Sequence, residues 1–296
     1  MKKYIFVFLF LLASQFSIAQ KTDKKLETRL RQAIDTFHGD IGIYVKNLRT
    51  GKMVSINADT VFPTASIVKV SILLGIMDKL QKGELQYEQD LVYRDSLAYS
   101  DYDILAAFKD TQKVLLKKVM MLMLTTSDNT ASLWLQSLAG TGTRINQLLD
   151  SLGFKSTRVN SRTPGRETNR TAYGWGQTSP SEIGRLFEMI YRNQIISPAA
   201  CERMMRSLGR NFWDLDEAIS QIPPYIEVFS KNGCVNAVRS EVLLVNAPNN
   251  PYIFCIFTKN NKDTSWTYNN EAWALARKIS SMLWEYFEPK DEWVKP

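Results

Sequence analysis

Three short groups in this chain carry residue types suited to nucleophilic chemistry. They are Ser66-Ile67-Val68-Lys69, Ser127-Asp128-Asn129 and Lys231-Asn232-Gly233. The first sits in PTASIVK, where a proline-led turn gives way to an apolar helix. Residues three apart on a helix share a face, so Ser66 and Lys69 can meet. Free N–H groups and the helix dipole favour negative charge in a first turn, which stabilises the alkoxide of Ser66. An amine one turn on loses basicity when partly desolvated and can then take the serine's proton. Each group also has a structural reading. Ser-x-x-Lys is frequent by chance and Ser66 could cap the helix. Ser, Asp and Asn are ordinary N-cap residues. Asn-Gly at a strand end is the commonest hairpin signal.

Other chemistries find little support. The single histidine, His38, lies beside Gly39-Asp40 at a helix end. A Ser-His-Asp triad would depend on it alone, and a histidine-based zinc site has no second histidine. No cofactor or metal is called for. Three cysteines, Cys201, Cys234 and Cys255, cannot all pair within one chain and read as small buried apolar residues. Cys234 and Cys255 fall in neighbouring predicted strands and could approach each other. The formal charge of +7 is spread among acids, with KTDKKLETRLRQ at 21–32 as the solvated face of a helix. Nucleic-acid binding needs a basic stripe in a recognisable module, which is missing.

The elements that must position these groups follow from periodicity. Residues 1–19 have a basic start, a short apolar run and small residues at Ser17 and Ala19, the layout of a cleaved secretory signal. The mature chain, 20–296, then reads as a soluble periplasmic domain with no membrane span. A helix over 23–38 presents Leu26, Leu30, Ile34 and Phe37 on one face. Residues 41–59 read as two strands around Arg49-Thr50-Gly51. Apolar periodicity predicts helices over 66–82, 111–124, 129–139 and 143–152. The stretch 153–178 has no period and reads as a long functional loop. Ser179-Pro180-Ser181-Glu182 is a capping box that starts a further helix. Strands return at 225–231, 238–246 and 252–259, and an apolar-striped helix closes the chain. The economical fold is α+β, with an antiparallel sheet built from both ends of the chain and flanked by the terminal helices. A sheet lobe takes about 23–62 and 222–296, and an all-helical lobe about 63–221. The cleft between them is the natural site.

Taken together, the order and spacing of the three groups resemble those of the penicillin-recognising serine enzymes, class A β-lactamases and penicillin-binding proteins. Ser127 follows Ser66 by 61 residues and Lys231 follows Ser127 by 104. Thr178-Ser179-Pro180 resembles the Thr-Thr-Pro that ends the family's omega loop, and the resemblance covers nearly the whole mature chain. It implies that Ser66 becomes acylated, Lys69 is its base, and Ser127 passes a proton to the leaving nitrogen with help from Lys231. It further implies that Asn129 holds the substrate amide and that Lys231 attracts the substrate carboxylate. The backbone N–H groups of Ser66 and Cys234 would form the oxyanion hole. Asp128 becomes a structural brace, and Arg239 a candidate second carboxylate contact.

Two departures qualify the resemblance. Asn232 stands where the family usually has a hydroxyl residue between Lys231 and Gly233, which puts carboxylate preference in question. In the omega loop, ungapped register places Thr163 where class A enzymes carry the glutamate that activates the deacylating water; Glu167, four residues later, could take that role only in a rearranged loop and otherwise reads as a surface residue pairing with Arg166 or Arg170. Without that base, acylation can proceed while hydrolysis slows. The sequence therefore supports three readings: a β-lactamase-like hydrolase, an enzyme of penicillin-binding or D-alanyl-peptidase type with a long-lived acyl-enzyme, and a non-catalytic binding module on the same fold.

Overall fold

The structure, a computed structural model, describes residues 21–293. The expected secretory signal at 1–19 lies outside the described residues. Helix α1 (Lys24–Ile34) is capped by Asp23, which accepts from Leu26 N, and buries Leu26, Leu30 and Ala33. Strands β1 (Asp40–Asn47) and β2 (Met53–Ile56) form the expected hairpin, and Asn47 Oδ1 accepts from the backbone N–H groups of Arg49 and Thr50 in its turn. A short strand β3 (Phe62–Pro63) leads into a 3-10 turn at Ala65–Ile67 and then helix α2 (Val68–Gln81), buried over most of its length.

The middle of the chain is mainly helical: α3 (Leu116–Thr125), α4 (Asn129–Leu138), α5 (Thr141–Ser151), α6 (Glu167–Tyr173), α7 (Pro180–Tyr191) and α8 (Pro198–Leu208). Interspersed are a two-stranded hairpin, β4 (Asp90–Val92) with β5 (Lys113–Leu115), and the short strands β6 (Arg158–Val159) and β7 (Gly176–Thr178). The helix expected from 111 therefore begins at Leu116, because Lys113–Leu115 pair with β4 instead. The stretch 153–178, expected as an irregular loop, holds β6, α6 and β7, and β7 bridges β3 and β6.

The chain ends with β8 (Val228–Val235), β9 (Val238–Val245), β10 (Tyr252–Lys259) and α9 (Glu271–Phe287). The main sheet runs β2-β1-β10-β9-β8 and is antiparallel throughout. Strand alternation divides its side chains between two cores. On one face Ile43, Val45, Leu243, Val245 and Phe254 pack with Leu26 and Leu30 of α1 and Ile279 and Leu283 of α9. On the other, Tyr44, Val242, Leu244, Cys255 and Phe257 join the core of the helical block. A sheet covered on both faces needs nearly continuous apolar strands, and β9 and β10 supply them. No helix of the described residues is long and apolar enough to cross a membrane.

Two local expectations change. Lys231-Asn232-Gly233 was expected at a strand end, yet it lies inside β8, and the strand continues to a turn at Asn236, whose φ is 44°. Strand β9 separates Cys234 on β8 from Cys255 on β10, so they are not on neighbouring strands, and both thiols are free.

Candidate active site

Ser66 lies in the 3-10 turn ahead of α2, just after Ala65, whose φ of 43° is unusual for a residue with a side chain. The turn is pinned on two sides. The N–H of Thr64 donates to Gly176 O of β7 at 2.9 Å. Gly233 of β8 presses against its backbone: a Cβ added there would stand 2.4 Å from Thr64 O and 2.9 Å from Ser66 N. Only glycine allows that approach, which accounts for its place after Lys231-Asn232.

Lys69, one turn into α2, is fully buried. Its Nζ lies 3.1 Å from Ser66 Oγ, 3.0 Å from Ser127 Oγ and 2.8 Å from Asn129 Oδ1, and it also donates to Ser127 O. Burial, then the neighbouring charge of Lys231, pushes this amine well below the ordinary lysine range; Asp103 and Asp128 oppose them more weakly. A neutral amine beside a serine hydroxyl has a lone pair available for its proton, which is the arrangement a nucleophile and base require.

Ser127 and Asn129 are delivered by the entry to α4. Ser127 has a φ of 61°. Asp128 caps the helix, accepting from Ala131 N at 2.7 Å, and its second oxygen accepts from Leu105 N at 3.0 Å. It is buried, and it makes no hydrogen bond to the reacting groups. Asp103 accepts from Asn129 N, Thr130 N and the Thr130 hydroxyl, within 2.7–3.0 Å. Sequence reading missed Asp103. Its only local signal was an acid in the polar run 100–103, whose partners lie more than twenty residues away.

Lys231, also fully buried, donates to the backbone oxygen and Oδ1 of Asn232 at 2.9 and 3.0 Å. Burial lowers it to about 8, against the opposing charges of Glu217, Cys234 and Glu241. The Asn232 amide N–H donates to Glu217 Oε1 at 2.7 Å. Burial raises Glu217 to about 7. Glu241, opposite Asn232 in the β8–β9 register, is raised well above the usual carboxyl range, first by burial and then by Glu217. Neither glutamate stood out in the sequence, although Glu241 interrupts the apolar run of β9. Cys234 is half-buried at the end of the motif, and burial lifts its thiol to about 11.

The side chains of the remaining expected site residues make no hydrogen bond to this cluster, although Arg239 lies opposite Cys234 in the β8–β9 register. Arg239 is buried between the rings of Trp266 and Trp273, 4.4 and 4.7 Å from their centroids. Its guanidinium donates to the backbone oxygens of Asn236, Val238, Thr264 and Ser265. Those commitments remove it as a ready carboxylate contact. The Thr163 hydroxyl donates to Ser161 O at 2.8 Å and packs so tightly on α5 that a Cβ at Gly142 would stand 1.8 Å from it. Glu167 is exposed at the start of α6 and accepts from Gly165 N at 3.1 Å. The segment is instead organised by Arg166, which donates to Asn160 Oδ1 at 3.0 Å and Gln177 Oε1 at 2.8 Å. Its start is tied down by Glu182, which accepts from the N–H groups of Lys155, Ser156 and Thr157. Among the described residues no cluster of metal-ligating side chains occurs.

A family model described as the beta-lactamase enzyme family matches residues 25–287. Beta-lactamase VEB-1 of Pseudomonas aeruginosa is 23% identical over 297 residues, covering 95% of this chain and 97% of the relative. Among solved structures, PBP-A superposes with a TM-score of 0.79 at 24% identity, covering 91% of this chain and 98% of its own. A leucine-to-glutamate variant of PBP-A, solved as the acyl-enzyme complex with penicillin G, matches equally. A β-lactamase from Chitinophaga pinensis also has a TM-score of 0.79, at 18% identity, with 88% and 99% of the chains covered. At these identities the structural likenesses establish the shared mixed α/β fold.

Proposed function

The chain belongs to the beta-lactamase enzyme family, and from that premise we propose that it is an exported serine hydrolase acylated at Ser66 by β-lactam amides, with slow release of the acyl group. Lys69 takes the proton of Ser66 as its oxygen attacks the lactam carbonyl. The N–H groups of Ser66 and Cys234 hold the oxyanion. Ser127, within hydrogen-bond distance of Lys69, hands a proton to the leaving nitrogen. Lys231 supplies the positive charge that attracts an anionic substrate group, and Asn129 holds the substrate amide. Export to the periplasm rests on the N-terminal sequence alone.

One observation carries the slow-release reading. The partners of Lys69 Nζ are Ser66, Ser127 and Asn129, and among the described residues no carboxylate hydrogen-bonds to Ser66 or Lys69. The two positions where a deacylating base could lie, Thr163 and Glu167, point their polar atoms at Ser161 O and Gly165 N. Hydrolysis of an ester needs a base to activate water, and a positioned base contributes about 10²–10⁴-fold. Its loss favours an acyl-enzyme that accumulates. The same chemistry would serve a D-alanyl peptide as acyl donor.

Intact-protein mass spectrometry after mixing with penicillin G tests the proposal. The expected result is a stoichiometric mass gain that persists, and its absence in Ser66→Ala. An adduct in Ser66→Ala would refute the nucleophile. A gain that clears within seconds, with turnover of the drug, would refute slow release.

A further inference from the structure

Lys231 is a fully buried lysine, and among the described residues no carboxylate lies within ion-pair distance of its Nζ. Its Nζ is held by the backbone oxygen and side-chain Oδ1 of Asn232, at 2.9 and 3.0 Å. The same amide turns its N–H to Glu217 Oε1, at 2.7 Å. Lys231, Asn232 and Glu217 are each at most 6% exposed. The amide therefore spans a buried cation and a buried acid, with both its ends committed. An amide is suited to that task because it carries acceptor and donor on opposite branches of one planar group.

We propose that Glu217 is a positioning residue for the acylation reaction, the counter-ion of Lys231 held one amide away, and that Asn232 belongs to this link rather than to the substrate. A buried ammonium without a compensating charge sheds its proton. Above pH 7, where Glu217 is ionised, it favours the charged form of Lys231 without itself contacting Nζ. This accounts for the asparagine where the related enzymes carry a hydroxyl residue. It also leaves Lys231 as the principal electrostatic contact for an anionic substrate, since both terminal nitrogens of Arg239 are held by backbone oxygens. The proposal rests on the reading of Ser66 as the acylated residue only for its kinetic arm.

Several other titratable groups face this link. On β9, Glu241 accepts from Ala218 N and Ile219 N, at 2.6 and 3.2 Å, and Arg239 lies between its tryptophans. On β8, Cys234 lies beyond Gly233. On α2, Lys69 is repelled by Lys231. Asp216 precedes Glu217, and its backbone oxygen accepts from Arg277 of α9 at 2.6 Å. Of these, Glu217 acts most strongly on Lys231 in favour of the charged form.

The test is Glu217→Gln, which keeps the acceptor for Asn232 and removes the charge. Lysine side-chain ¹³C shifts report the Lys231 proton directly, with Lys231→Arg assigning the signal. The expected result is a Lys231 transition that moves to lower pH by about one unit, the scale of one unit charge lost at short range. The alkaline limb of the acylation profile with penicillin G should move with it, while the acidic limb, set by Lys69, stays within a few tenths of a unit. A Lys231 transition that does not move overturns the proposal, whatever the kinetics. A transition that moves while the alkaline limb stays fixed overturns the role in acylation. A variant that loses rate at every pH with both limbs in place has a structural glutamate only, and that result also overturns it. If wild-type protein takes no acyl group, the reading of Ser66 fails by itself and the NMR shift still decides the counter-ion.

Discussion

Replacing Gly233 by alanine isolates the contact that aligns β8 with the nucleophile turn. The added methyl would stand 2.4 Å from Thr64 O, 2.9 Å from Ser66 N and 3.1 Å from Ile67 N. All three neighbours are backbone atoms, so no side chain can swing aside. Ordinary contact for such a carbon begins near 3.4 Å, so strand and turn must part by about 1 Å. Alanine has a modest advantage at this position, because it loses less backbone freedom than glycine, worth about 0.4–1 kcal/mol. Overpacking costs about 1–3 kcal/mol and outweighs it. A misplacement of about 1 Å at reacting groups costs on the order of 100-fold in rate. The expected outcome is therefore a loss of roughly 1–2 kcal/mol in urea unfolding together with acylation by penicillin G slowed about 100-fold. Stopped-flow acylation and equilibrium unfolding on the same preparation give both numbers. A folded Gly233→Ala protein that acylates within threefold of wild type would refute the reasoning, because it would mean that the close approach of β8 to Ser66 is not needed for the chemistry.

Lys69→Ala should slow acylation by about 10²-fold or more, the contribution of a positioned base. In the wild type the rate should rise with pH as the depressed Lys69 loses its proton, then fall as Lys231 does so at about 8, and the rising limb should vanish in the variant. Thr163→Glu should not speed deacylation, because the side chain at 163 packs on Gly142 of α5 rather than reaching Ser66. It should instead lower stability by about 1–3 kcal/mol, the cost of forcing a larger polar group into a filled site, as a shift of the urea midpoint would report.

Much of this architecture was legible because its signals are local or ordered along the chain. The hairpin at 41–59, the helix after Pro63, the Ser179-Pro180 helix start and the closing helix all follow from periodicity and caps. Of the residues that the motifs singled out, Ser66, Lys69, Ser127 and Asn129 are joined by hydrogen bonds through Lys69 Nζ. What escaped depends on distant partners. Strands β6 and β7 are two and three residues long, too short for any period, and exist because they pair with each other and β7 pairs with β3. Glu182 looked like the reciprocal member of a capping box. The Ser179 side chain does accept from Glu182 N, but the Glu182 carboxylate turns to Lys155–Thr157. Asn232-Gly233 carried a turn signal that sheet pairing overrode, and the turn falls at Asn236. Arg239 had the right position in sequence, but two tryptophans from the segment before and within α9 claim its guanidinium. Glu217 reaches its partner across a loop, and nothing in its own neighbourhood marks it.

The pairing of β1 with β10 also fixes an order of events during synthesis. The hairpin of β1 and β2 is among the first folded-domain segments made, and its main neighbour is the last strand, more than two hundred residues later. Contacts so far apart in sequence form slowly. The first hairpin must therefore wait with one edge unpaired, an edge open to pairing with other chains. The block from α2 to α8 can collect its local contacts during that interval. Lys231 enters with β8, so the nucleophile turn is made well before the strand that completes the site. A chain released before β10 would carry Ser66 and Lys69 and yet lack the sheet that presses Gly233 against the nucleophile turn.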